Sequence, residues 1–205
     1  MSARRSAAEF LPPGGGLAAL RRAAAGCQGC DLYATATRTV FGEGPARARL
    51  MMVGEQPGDY EDREGHPFVG PAGKLLDRAL SAVGLDRSSI YLTNAVKHFK
   101  FVERGKRRIH KQPTRSEVLA CLPWLEAELK VVRPALVVAL GAVAAKALLG
   151  PSFKVSEQRG VVVLRDDLPV IATVHPSAVL RAPDREAAFS DFVRDLKAVR
   201  AEVGT

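Results

Sequence analysis

Long apolar runs are missing from this 205-residue chain, and none approaches the roughly 20 residues that a bilayer-spanning helix requires. No membrane partner is therefore expected. Also missing is an apolar h-region behind the arginines of MSARRSAAEFLPPGGG, so no secretory signal is expected. Cysteine is scarce, and an odd count of three argues against a purely disulfide framework. Reduced thiols in a bacterial cytoplasm are the expectation. Cys27 and Cys30 in CQGC, and Cys121 in ACLPW, are then either metal ligands or plain buried thiols. Internal repeats and a second-domain boundary are absent too. Residues 1–16 read as a flexible tail ending in a Pro/Gly break, and residues 17–205 as one domain.

Acid is nearly absent from one segment. Between Lys97 and Arg115, eight Lys/Arg face one carboxylate, Glu103, so this stretch carries +7 of the chain's formal +8. Such a run fits either a polyanion such as nucleic acid or a solvated basic loop, and charge alone does not choose. At its centre, GKRRIHKQP sets His110 among Lys106, Arg107, Arg108 and Lys111.

Hydrophobic residues make up 47% of the chain and charged ones 25%, as in an ordinary globular domain. Apolar runs at Leu50–Val53, SIYLTNAV, PALVVALG and LPVIATVHPS read as strands, with GVVVL a short strand on an edge. Between them lie helical patterns: LAALRRAAAGC, PAGKLLDRALSAVGL, a segment opened by the capping box TRSE and perturbed by Pro123, AVAAKALLG, and DREAAFSDFVRDLKAVRAEV. Residues 97–113 read as a long basic loop. The alternation predicts a three-layer α/β/α sandwich around a mostly parallel central sheet.

Ligands of open parallel sheets collect beyond the carboxyl ends of the strands, here GEQPG, TNAVKH and HPSAVLR. In the first, Glu55 and Gln56 lie on a tight turn after Gly54. There Glu55 can stabilise a cation or orient a nucleophile, or be a merely exposed carboxylate. Phe68, in the loop HPFVGPAGK, can stack on a planar ring or pack into the core. Asn94 offers a donor and an acceptor suited to a pyrimidine edge, or ties down a turn. His175 can donate to a developing oxyanion or bond the backbone.

Together, GEQPG, HPFVGPAG, TNAVKH and HPSAVLR resemble the uracil-DNA glycosylase superfamily, over roughly residues 20–200 and most closely its iron–sulfur branches. The insert KRRIHK is similar to that of the UdgX group, whose members become covalently attached to DNA where uracil is excised. The resemblance implies that Glu55 is the acidic catalytic residue, Phe68 the stacking platform and Asn94 the reader of the uracil edge. His175 would bond uracil O2, while Gly54, Gln56 and Asp59 surround the pocket. Ser177, Leu180 and Arg181 would meet DNA, Leu180 or Arg181 as a wedge or phosphate contact. It further implies a [4Fe–4S] cluster on Cys27, Cys30, Cys121 and, where relatives place a fourth cysteine, His98. A Cys3His zinc site is the alternative.

The expected partner is uracil-containing DNA, including single strands, bound by a monomer. A neutral His110, kept so by Arg107, Arg108 and Lys111, would capture the sugar C1′ once uracil departs. The competing readings are a turnover glycosylase in which His110 only contacts DNA, a non-catalytic metal-cluster nucleic-acid binder, and a basic small-molecule hydrolase.

Overall fold

A computed structural model describes residues 5–204. In chain order the strands are β1 Leu50–Gly54, β2 Ile90–Asn94, β3 Phe101–Arg104, β4 Arg107–His110, β5 Leu136–Leu140, β6 Val162–Arg165 and β7 Leu168–Thr173. The helices are α1 Gly16–Ala24, α2 Asp59–Glu64, α3 Pro71–Ala82, α4 Arg115–Val132, α5 Ala142–Leu149, α6 Val155–Gln158, α7 Pro176–Arg181 and α8 Arg185–Gly204. The central sheet runs β2-β1-β5-β7-β6, parallel except for the edge strand β6. No helix among the described residues is long and apolar enough to cross a membrane.

Both faces of the sheet are buried, which is why its strands are continuous apolar runs rather than alternating ones. Met51, Val53, Val137 and Ala139 point to one side, against Leu125 and Leu129 of α4 and Leu148 of α5. Leu50, Met52, Leu136 and Val138 point to the other, against Leu76 and Leu80 of α3 and Phe192 and Leu196 of α8. The expected three-layer sandwich is thus the observed one. Thr114 caps α4, accepting from the Glu117 N–H while Glu117 accepts from its own, and the helix runs on through Pro123.

Two segments depart from expectation. Residues 7–10, inside the stretch read as a tail, form a 3-10 turn capped by Ser6 that buries Ala7 in a third cluster with Leu20, Cys27 and Trp124. Residues 1–4 lie outside the described part. The second departure is larger: the basic loop contains an antiparallel hairpin, β3 with β4, turning at Gly105 (φ 59°). In the register Phe101↔His110, Val102↔Ile109, Glu103↔Arg108 and Arg104↔Arg107, each face mixes apolar and charged residues, so the sequence carried no period of two to mark the strands.

Beneath the end of β2 lies a fully buried ion pair. Lys97 Nζ donates to Glu128 Oε2 on α4 (2.5 Å), Thr93 Oγ1 (2.7 Å) and the Asn94 carbonyl (2.7 Å). Glu128 also accepts from the Tyr91 hydroxyl (2.9 Å) and the Gly42 N–H (3.1 Å). Every lone pair in this network meets a donor, the condition under which a buried charge is tolerated. Lys97→Met would strand the carboxylate, and we expect a loss of about 3–5 kcal/mol in denaturant-derived stability.

Candidate active site

The carboxyl ends of β1 and β2 are stitched together, the Ala95 N–H donating to Gly54 O (2.9 Å) and the Val96 N–H to Glu55 O (3.0 Å). Gly54 is a glycine for want of space. A Cβ there would collide with Asn94 Oδ1 and lie 2.7 Å from Phe68 Cζ. The Phe68 ring is in turn stacked towards the His175 imidazole, centroids 6.2 Å apart and planes inclined by 27°. Phe68, Asn94 and His175, distant in sequence, are therefore brought together beside Gly54.

His175 caps α7, its Nδ1 accepting from the Ser177 N–H (3.2 Å) with the Ser177 hydroxyl 2.8 Å away. A backbone N–H can only donate, so the neutral ring carries its hydrogen on Nε2, facing away from the helix. Burial, reinforced by His110 and Arg181, pushes the His175 pKa down to about 4. This histidine is a neutral N–H donor at physiological pH. Ser177, expected at the DNA, also orients His175.

The hairpin brings His110 to the same place. Its Nε2 is 3.5 Å from Glu55 Oε1 and 2.9 Å from Gln56 Nε2. Gln56 pins both strands of the hairpin base: its Oε1 accepts the Lys100 N–H (3.1 Å), and its amide faces the carbonyls of Lys100 (3.2 Å) and Lys111 (2.9 Å). Those partners fix the amide orientation, so its nitrogen meets His110 as a donor. An amide nitrogen cannot accept, so His110 Nε2 is the acceptor at this contact, sharing the two Gln56 N–H hydrogens with the two carbonyls, and the ring hydrogen is on Nδ1.

Burial lowers the His110 pKa first, and Arg181 second. This corrects the expectation that Arg107, Arg108 and Lys111 keep the ring neutral. Arg108 is turned inward, bonding Asp59 Oδ1 (2.5 Å) and Asp62 Oδ2 (2.6 Å) beneath the rings of Phe99 and Phe101. The same bonds take Asp59 out of the pocket and Arg108 off the phosphate contacts; both anchor the hairpin. Lys106, Arg107 and Lys111 stay exposed, as does Arg181, while Leu180 is half-buried. Parity explains the split, since Arg108 shares His110's face and Arg107 the opposite one.

Glu55 Oε1 is buried without a hydrogen-bond partner, and burial raises the Glu55 pKa to about 7, with Arg181 opposing. Proton binding is then tighter in the folded chain, so stability falls as pH rises from the ordinary value of 4.5 to about 7. The cost above pH 7 is up to about 3 kcal/mol. Glu55→Gln is therefore expected to be more stable than the parent at pH 8, by an amount that shrinks towards pH 5. Thermal melts across that range check it.

On the far side of β2, Cys27 and Cys121 are buried and Cys30 is half-buried. Cys27 Sγ accepts from the Trp124 indole N–H (3.2 Å) and the Gly29 N–H (3.4 Å), and Cys121 Sγ from the Lys97 N–H (3.3 Å). Cys27 and His98 line a cavity of about 180 Å³. The buried His98 bonds Thr39 Oγ1 through Nε2 (2.9 Å), whereas its Nδ1 has no partner. Burial pushes the Cys121 thiol up to about 12. Among the described residues no three Cys, His, Asp or Glu side chains converge tightly enough for a single metal ion. Three soft sulfurs, two of them accepting N–H donors, and an orphaned imidazole nitrogen are a donor set that fits a thiolate-rich metal group.

Comparison with known proteins accords with this geometry. The model of the Uracil DNA glycosylase superfamily matches residues 41–197. A type-4 uracil-DNA glycosylase of Pyrobaculum aerophilum is 36% identical over 178 residues, 83% of this chain and 86% of its own. That of Archaeoglobus fulgidus is 38% identical over 175 residues, covering 81% and 84%. A type-5 uracil-DNA glycosylase of Pyrobaculum aerophilum is 34% identical over 151 residues, covering 65% and 63%. With the match running from the segment before β1 into α8, and the strand-end residues assembled around one pocket, the chain belongs to the uracil-DNA glycosylase superfamily.

Proposed function

We propose that this protein excises uracil from DNA and then captures the exposed sugar C1′ through His110, leaving a stable protein–DNA adduct. Uracil-DNA glycosylase chemistry follows from the family; the capture step is our reading of the hairpin. The observation that carries it is His110 Nε2 at 3.5 Å from Glu55 Oε1, the residue that follows the Gly54 around which Phe68, Asn94 and His175 gather.

The base leaves the stack, or is presented on a single strand, and lies on Phe68 with Asn94 at its edge. The C1′–N1 bond breaks and its electron pair departs with uracil, giving an oxocarbenium-like sugar. His175 Nε2–H meets the negative charge at O2, a donor type whose removal from enzymes costs about 2.7–4 kcal/mol. Ionised Glu55 stabilises the cation. His110 Nε2 then gives its lone pair to C1′, favoured over water by its fixed position. The Nδ1 proton passes to solvent, leaving a neutral N-alkyl imidazole that is a poor leaving group.

The tautomer set by Gln56 places that proton on Nδ1, away from Glu55, which supports Glu55 as a charge stabiliser rather than the proton's acceptor. Lys106, Arg107 and Lys111, exposed on the outer hairpin and its turn, would lie along the phosphates with Arg181. A monomer suffices for every step.

Incubated with uracil-containing single-stranded DNA, the wild-type chain should give a retarded band on a denaturing gel, at a rate rising through about pH 7 as Glu55 ionises. His110→Gly should abolish the band and release an abasic product. Turnover without any band would leave His110 as a DNA contact only. Uracil left in place would mean a non-catalytic binder.

A [4Fe–4S] cluster on Cys27, Cys30, Cys121 and His98 would cross-link the N-terminal segment, the end of β2 and α4. It would supply that tie, and no step above needs an electron. Anaerobically purified protein should contain about four iron and four sulfide per chain, and His98→Ala should lower both. One zinc without sulfide would reverse the assignment.

A further inference from the structure

Among the described residues, three other than glycine have positive φ: Arg133, Asp166 and Phe68. The first caps the C-terminus of α4, and the second sits in the two-residue turn between β6 and β7. Phe68 (φ 56°) has neither excuse. It is a bulky residue in the loop between α2 and α3, where left-handed backbone is strained and persists only if its surroundings over-determine it.

The surroundings can be named. Arg87 stands on the 3-10 turn before β2. Its Nη2 donates to the carbonyls of Phe68 (3.1 Å) and Pro67 (3.3 Å), while Nη1 bonds Asp77 Oδ1 on α3 (2.5 Å). From the other side Gly73 lies so close that a Cβ there would collide with the Phe68 carbonyl oxygen. The carbonyl is trapped between a guanidinium and a helix backbone. With its carbonyl fixed, Phe68 projects its ring beside Gly54 and towards His175.

We infer that Arg87, whose guanidinium is engaged by Pro67, Phe68 and Asp77, is a positioning residue that holds the Phe68 platform in its strained, base-stacking conformation by clamping two consecutive carbonyls. A fork is needed for this. Lysine offers a point charge that can answer Asp77 but cannot bridge the carbonyls and the carboxylate together. The inference rests on the proposed excision of uracil, because it assumes that a planar base lies on Phe68.

Two readouts test it on the full chain: the concentration of uracil-containing single-stranded DNA that half-saturates adduct formation, and the concentration of free uracil that halves its rate. Arg87→Met should raise both by about ten- to a hundredfold, the range for losing hydrogen bonds from a charged donor. The melting temperature should move little, because the Arg87–Asp77 pair is part-exposed, at 34% and 45%. Arg87→Lys, which keeps the charge, should fold and remain impaired. Phe68→Ala should show the same defect, and adding Arg87→Met to it should make nothing worse. Wild-type values in Arg87→Lys, or independent effects in the double variant, would overturn the clamp. A wild-type chain that leaves uracil on DNA instead defeats the excision reading, and this inference with it.

Discussion

The Lys97–Glu128 pair sits where everything functional meets. Its lysine follows the end of β2 and holds the Asn94 carbonyl, so Asn94 cannot shift without breaking a buried charge contact. Its glutamate reaches from α4 to the Gly42 N–H, fixing the segment that leads into β1. The Lys97 N–H meanwhile donates to Cys121 Sγ, coupling the sulfur side of the molecule to the pocket side through one residue. A buried ion pair is a weak source of net stability but a strict one of geometry, since misplacing either partner leaves an unpaired charge in the core.

Glu55 shows the opposite economy. It is held in an apolar place with one oxygen unpartnered, and its carboxyl is biased towards the neutral form. The same burial keeps His110 and His175 uncharged. An arriving sugar cation would be the first positive charge to satisfy that carboxylate fully. A buried carboxylate oxygen with no donor upon it costs stability, and a positive charge placed beside it would recover part of that cost.

Much of this was legible in the sequence. The parallel sheet followed from unbroken apolar runs such as LMMV and LVVAL alternating with amphipathic helices, and the pocket from polar residues at three strand ends. What could not be read was partnering. Arg108 and Arg107 are neighbours of the same type, and only the hairpin's register decides that one bonds Asp59 and Asp62 while the other faces outward. Nor did composition separate Ser177's bond to His175 from a DNA contact. Arg87 carried no motif, since its role arises from two carbonyls twenty positions away that the fold brings beneath its fork.

The hairpin imposes an odd–even rule on its own history. Because β3 and β4 pair residue for residue around Gly105, deleting or inserting one residue between the turn and His110 would swap the strand's faces. His110 would point to solvent, and Ile109 or Lys111 would take its place beside Glu55. A one-residue slip beside the turn would thus remove His110 from Glu55 as completely as substituting it, so the length of the hairpin matters as much as the identity of the residue.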